Sequence, residues 1–242
     1  MLTFLRRIRR SLIESGSVRK YLIYAIGEIA LVVIGILIAL QINNWNEERK
    51  LLKVKRIYIE NLLEDLTSDT VNISELVDFC NTGQLRIKQY FEFFESQSVN
   101  FSSAEFLDSA MQAEHCCRRY FPVNSTFQEM QASGNLKLLS KDLRDALIDL
   151  EHQQEFDQIH NDRMISNWLG RWEQFKNFIP VTKKGKSYFM RRQVYSERDS
   201  EMALFHFHHV LESNNDVLQS TKNGALNVKY QIIEIIQLLK EE

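Results

Sequence analysis

Residues 21–40 read YLIYAIGEIALVVIGILIAL, and Glu28 is the one charged side chain among them. As a helix this run rises ~30 Å, the hydrocarbon thickness of a bilayer, and its apolar surface goes all the way round. A signal peptide has a shorter apolar region, of ~7–15 residues, that ends at a small-x-small cleavage site. Ala39-Leu40-Gln41 offers no such site, so the run reads as an uncleaved transmembrane anchor. Tyr21, Tyr24 and Trp45 lie at its two ends, where amphipathic rings favour the headgroup layer. The expected division is a basic N-terminus (1–20), a transmembrane helix (21–45) and a water-soluble helical domain (46–242).

Composition points the remainder toward helices. The chain has two prolines and eight glycines in 242 residues, and these are the residues that break regular elements. A net charge of −2 argues against nucleic acid as a partner. The expected fold class is all-α: the anchor, then an elongated antiparallel helical bundle with short capping helices.

Six basic residues (Arg6, Arg7, Arg9, Arg10, Arg19, Lys20) precede the run and five (Arg49, Lys50, Lys53, Lys55, Arg56) follow it. Positive charge holds the cytoplasmic side; six against five favours N-in slightly, and an uncleaved segment with a short basic head behaves as a signal anchor, so the N-terminus is expected in the cytoplasm and the C-terminal domain outside it. An ionisable group in hydrocarbon normally faces a partner or a cavity. Glu28 shares a helical face with Ala25, Gly35 and Ala39, and small residues let a second helix approach closely. The expectation is a contact between membrane helices, with another membrane protein or a second copy. The opposing reading is that Glu28 reaches the headgroups or stays protonated.

The run KYLIYAIGEIALVVIGILIALQINNWNEERK and the later block NSTFQEMQASGNLKLLSKDLRDALIDLE together resemble an uncharacterised family of Gram-negative bacterial single-span membrane proteins. The resemblance implies one span plus a helical domain in the bacterial inner membrane. It brings no activity, cofactor or catalytic residue.

Trp45, Leu52, Ile59, Leu66, Ile73, Cys80, Ile87 and Phe94 recur at intervals of seven, which predicts a long coiled-coil-like helix over about 46–95, rising ~75 Å if unbroken. Its expected weak point is Asn81-Thr82-Gly83. Ser102-x-x-Glu105 and Thr126-x-x-Glu129 read as capping boxes that open short helices near 103–115 and 126–134. Ser140 caps a helix over 140–178 with an apolar face of Leu143, Leu147, Leu150, Trp168, Trp172 and Phe175. A last helix, 198–240, places Leu204, Phe207, Leu211, Leu218, Ala225, Val228, Ile232, Ile235 and Leu239 at a/d positions, with Asn214 and Thr221 as the polar exceptions.

If the second long helix returns toward the membrane, the loop between it and the last helix presents Lys183, Lys184, Lys186, Arg191 and Arg192 to anionic headgroups; an ordinary solvated loop is the plainer reading. Candidate metal ligands are His206 and His209, beside His208 on the last helix, and the pair Asp157 and His160. A di-iron bundle needs Glu-x-x-His from two helices, and one Asp-x-x-His is present. His115-Cys116-Cys117 is a further local cluster. The polar stretch Glu151–Glu155 reads as exposed. Cys80 reads as a buried thiol, with a bridge to the capping loop as the alternative. Phosphate-binding glycine loops, nucleophile elbows and zinc-protease motifs do not occur in the sequence. The first expectation is therefore a non-enzymatic scaffold, accessory subunit or signal-relaying module without cofactors, partnered with the bilayer. The second, from another class, is a metal- or small-ligand-binding helical-bundle enzyme.

Overall fold

A computed structural model describes residues 18–96, 102–114, 117–178 and 197–242, and every regular element among them is helical. They are α1 (Val18–Ser96), α2 (Ser103–Ala113), α3 (Ser125–Ser133), a 3-10 turn (Asn135–Leu138), α4 (Lys141–Lys176) and α5 (Glu197–Glu241). The chain divides into two units, one up to Ile57 and one from Tyr58 onward.

In the first unit, α1 carries a window with mean hydropathy 2.5 and none of it buried. By length and composition this helix can cross a membrane. Ala25 and Glu28 are half-buried there, whereas Gly35, Ala39, Trp45 and Leu52 are exposed.

In the second unit α1 turns amphipathic. Its buried residues are Tyr58, Leu62, Leu66, Asp69, Ile73, Leu76, Cys80, Gly83, Ile87 and Tyr90, steps of four and three that keep one stripe turned inward. The helix passes through Asn81-Thr82-Gly83 without interruption. Trp45 and Leu52 continue the heptad row upstream, but the matching positions three residues on are Glu48 and Lys55, so no apolar seam forms there.

The order of passes differs from the expected one, in which the second long helix made the return. Phe106 of α2 packs on Phe94 with ring centroids 4.5 Å apart, Arg118 reaches Glu75, Thr126 meets Asp65, and Tyr58 donates to Glu129 at 3.0 Å. Residues 102–114 and 117–138 thus retrace α1 from its Phe94 end to Tyr58. Next, α4 runs in the direction of α1, and α5 comes back along both. Ser140 pairs with Glu242, Asn161 with Ser220 and Phe175 with Phe207; along α1, Ser74 pairs with Lys229 and Tyr90 with His208. The reason is length: the extended stretch 117–124 covers in few residues what a helix covers in many. All eleven a/d positions of α5 from Leu204 to Leu239, Asn214 and Thr221 included, are buried.

Residues 179–196, between α4 and α5, lie outside the described residues, and with them Lys183, Lys184, Lys186, Arg191 and Arg192. Phe178 stacks on His206 at 4.3 Å.

The two capping signals part ways. Ser102 opens α2 with the expected box: its side chain accepts from the Glu105 N–H, and its own N–H donates to Glu105 Oε2 at 3.0 Å. Thr126, in contrast, is buried inside the first turn of α3, and Glu129 is engaged by Tyr58. The block S-G-N-L ends α3 as glycine allows: Gly134 sits at φ +70° in the left-handed region, and Asn135 Nδ2 donates to Tyr58 Oη at 3.1 Å.

Candidate functional site: a buried carboxylate clamp

Asp69 occupies a core position of the α1 stripe with 0% exposure, and among the described residues it is the one buried side chain that carries a formal charge. A carboxylate removed from water is strongly unfavourable unless donors replace its hydration. Tyr120 donates its hydroxyl to Oδ2 at 2.5 Å, and Val123 N–H donates to Oδ1 at 3.4 Å. Gln154 of α4 donates to Oδ2 at 3.4 Å and to the Tyr120 oxygen at 3.1 Å. Burial pushes the Asp69 carboxyl above its ordinary range, against the lowering effect of Tyr120 and Val123. Burial, then Asp69 itself, pushes the Tyr120 phenol up as well.

One turn earlier, Asp65 accepts from Ser125 Oγ at 3.0 Å and from Thr126 N–H at 2.9 Å. Asn124 precedes α3 without a side-chain cap, so a carboxylate from another helix satisfies the orphaned N–H and meets the positive end of the α3 dipole. Two acids at i, i+4 on α1 thus hold the return pass, and Gln154 ties α4 to the same point. The reading of 151–155 as exposed fails at Gln154, which is 5% exposed; His152 and Glu155 are exposed.

Two small cavities flank the clamp. One of about 20 Å³ lies among Leu62, Asp65, Val123, Phe127 and Gln154. The other, also about 20 Å³, lies on the far side of Tyr120 beside Asp157, Asn161, Thr221 and Gly224. Each is water-sized. Asp157 Oδ2 is buried there without a hydrogen-bond partner, and a Cβ on Gly224 would come within 2.9 Å of its Cγ. Glycine at 224 lets this carboxyl lie against the α5 backbone. The enclosed Asp–Tyr pair, with water-sized cavities on both sides, joins α1, the 117–124 stretch and α4.

The candidate metal ligands are dispersed. His206 stacks on Phe178, His209 lies 3.2 Å from Glu212, and exposed His160 stacks on Phe156 while Asp157 turns inward. Among the described residues, no three His, Cys, Asp or Glu side chains form a group that could hold a metal ion. His115 and Cys116 lie outside the described residues. Cys80 is a buried free thiol, pushed up to about 11 by burial. His208 is half-buried against α1. Its Nε2 is 2.5 Å from the Tyr90 hydroxyl, and Phe94 meets its ring edge-on at 4.7 Å.

A family model matches residues 28–187, about two thirds of the chain. The chain belongs to the family of unknown function DUF6090. No curated protein and no solved structure matches it. The DUF6090 stretch takes in Asp65, Asp69, Tyr120 and Gln154, the whole clamp, and stops before α5, so His206, His208 and His209 lie outside it. Sequence reasoning passed over Asp69 because it followed the row of every seventh residue and not the row three further on, where a lone acid among Leu62, Leu76 and Tyr90 was the signal.

Proposed function

We propose that this chain is a membrane-anchored helical interaction module without catalysis of its own, a scaffold, accessory subunit or signal relay. Residues 21–40 hold it in a bacterial inner membrane with the N-terminus in the cytoplasm. The domain beyond is an elongated antiparallel bundle in the periplasm. One observation carries this reading: a single uninterrupted helix, α1, supplies both the bare apolar surface and the core stripe of the bundle. Whatever engages the first has a covalent, helical connection to the second.

The partner is another membrane protein or a second copy, met through the face of Ala25, Glu28, Gly35 and Ala39. A Cβ added at Gly35 would touch nothing within 4 Å, so the described residues of this chain leave that approach open. A photo-crosslinker placed at Ala39 is expected to capture a neighbour in native membranes, and Glu28→Leu to weaken the capture. Equal capture by both removes Glu28 from the interface, and no capture from any face of the span overturns the proposal. Stoichiometric metal in the purified protein would favour the enzyme reading instead.

A further inference from the structure

Beyond Leu40 the sequence turns polar within one residue, and 47–56 carries Glu47 and Glu48 against Arg49, Lys50, Lys53, Lys55 and Arg56. Trp45, Arg49, Lys50 and Lys53 are all exposed on α1. Helical side chains tilt toward the helix N-terminus. On a helix that leaves a bilayer toward its C-terminus, long basic side chains therefore reach back toward the lipid. The geometry follows this rule: the Arg49 guanidinium lies over the Trp45 ring, 5.2 Å from its centroid, and the Lys50 ammonium turns back to Glu47 at 2.8 Å.

The levels match a headgroup layer. Trp45 lies five residues past Leu40, a rise of ~7.5 Å, and the headgroup layer adds roughly 5–8 Å to each side of the hydrocarbon. The Arg49 guanidinium, at the level of Trp45, falls within that layer. Lys53 follows one turn further out, ~6 Å along the axis, which is inside the ~8–10 Å over which salt leaves charge unscreened.

We propose that Trp45, Arg49, Lys50 and Lys53 form a collar that binds anionic phospholipid headgroups at the leaflet through which α1 emerges. This rests on the anchor reading above. The ring of Trp45 shields one face of the guanidinium and orients it by a cation–π contact, leaving its N–H fork for a phosphate. Glu47 is engaged by Lys50, so Arg49 and Lys53 supply most of the attraction and Glu48 opposes it. Selection for negative lipid over zwitterionic lipid follows from the net positive charge of 45–56.

The full-length chain is reconstituted into nanodiscs of phosphatidylcholine alone and of phosphatidylcholine mixed with phosphatidylglycerol, and the lipids released with it are weighed by native mass spectrometry. Wild type is expected to carry phosphatidylglycerol several-fold above its bulk share. The pair Arg49→Gln with Lys53→Gln should return to the bulk ratio, while Lys88→Gln, an exposed cation of the bundle, leaves the enrichment intact. Added inorganic phosphate at constant ionic strength should not compete; competition would assign the site to a soluble anion and overturn the collar. Entry into both nanodiscs without enrichment, or enrichment untouched in the double variant, overturns the collar alone. A chain that enters neither composition refutes the anchor and the collar together.

Discussion

Asp69 and His208 are both shifted by burial in the second unit, and they act on stability with opposite signs. The folded pKa of Asp69 is raised above 3.8 by burial, so the native state binds its proton more tightly than the unfolded chain does. Its favourable contribution is complete below 3.8 and is lost as pH rises through the folded pKa. Relative to Asp69→Asn, wild type should therefore lose stability as pH rises above about 4 in denaturant titrations; parallel curves would contradict this. Removing the donor is a separate experiment. Tyr120→Phe leaves a buried carboxylate short of its nearest partner and should be destabilising by about 1–3 kcal/mol. His208 is lowered below 6.5, first by burial, so its contribution is complete above 6.5 and is lost as pH falls through the folded value. The groups facing it are Tyr90, Phe91 and Phe94 from α1 and Glu212 and His209 from its own helix. A titration followed by NMR should give His208 a pKa below that of a free histidine, and His208→Gln should flatten the acid limb of the stability profile.

At the level of elements, the strength of the apolar period decides what could be read in advance. The a/d pattern of α5 survives at every position because two helices cover it, and the α1 row survives from Leu66 to Ile87 for the same reason. Trp45 and Leu52, in the same row, are each 59% exposed, since Glu48 and Lys55 occupy the positions that would complete the seam. The return pass was not legible. Residues 114–124 have no period, and the cap of α3 comes from Asp65, roughly sixty residues upstream, a distance no local motif can signal. That tertiary cap is open to test. Asp65→Ala should lower stability by about 1 kcal/mol, in the range of a lost N-cap, and Asp65→Asn by less, because an amide oxygen still accepts. Gly134→Ala should also be destabilising by about 1 kcal/mol, since its φ of +70° disfavours a Cβ. If Asp65→Ala matches wild type in urea midpoint and slope, the clamp does not hold α3.

For the whole molecule, the fold class and the apolar helix were legible because both are properties of composition and period over tens of residues. The order of passes and the clamp were not, since each depends on which residues meet across the bundle. The DUF6090 match, residues 28–187, takes in Glu28, the α1 stripe, the clamp and α4 in one stretch. If residues 21–40 lie in lipid and tether the rest, alkali does not extract the chain. Alkaline carbonate washing of membranes that contain the intact chain tests this most directly. The chain should stay in the pellet and come out only with detergent. Release into the carbonate supernatant as a monodisperse, detergent-free protein would contradict it.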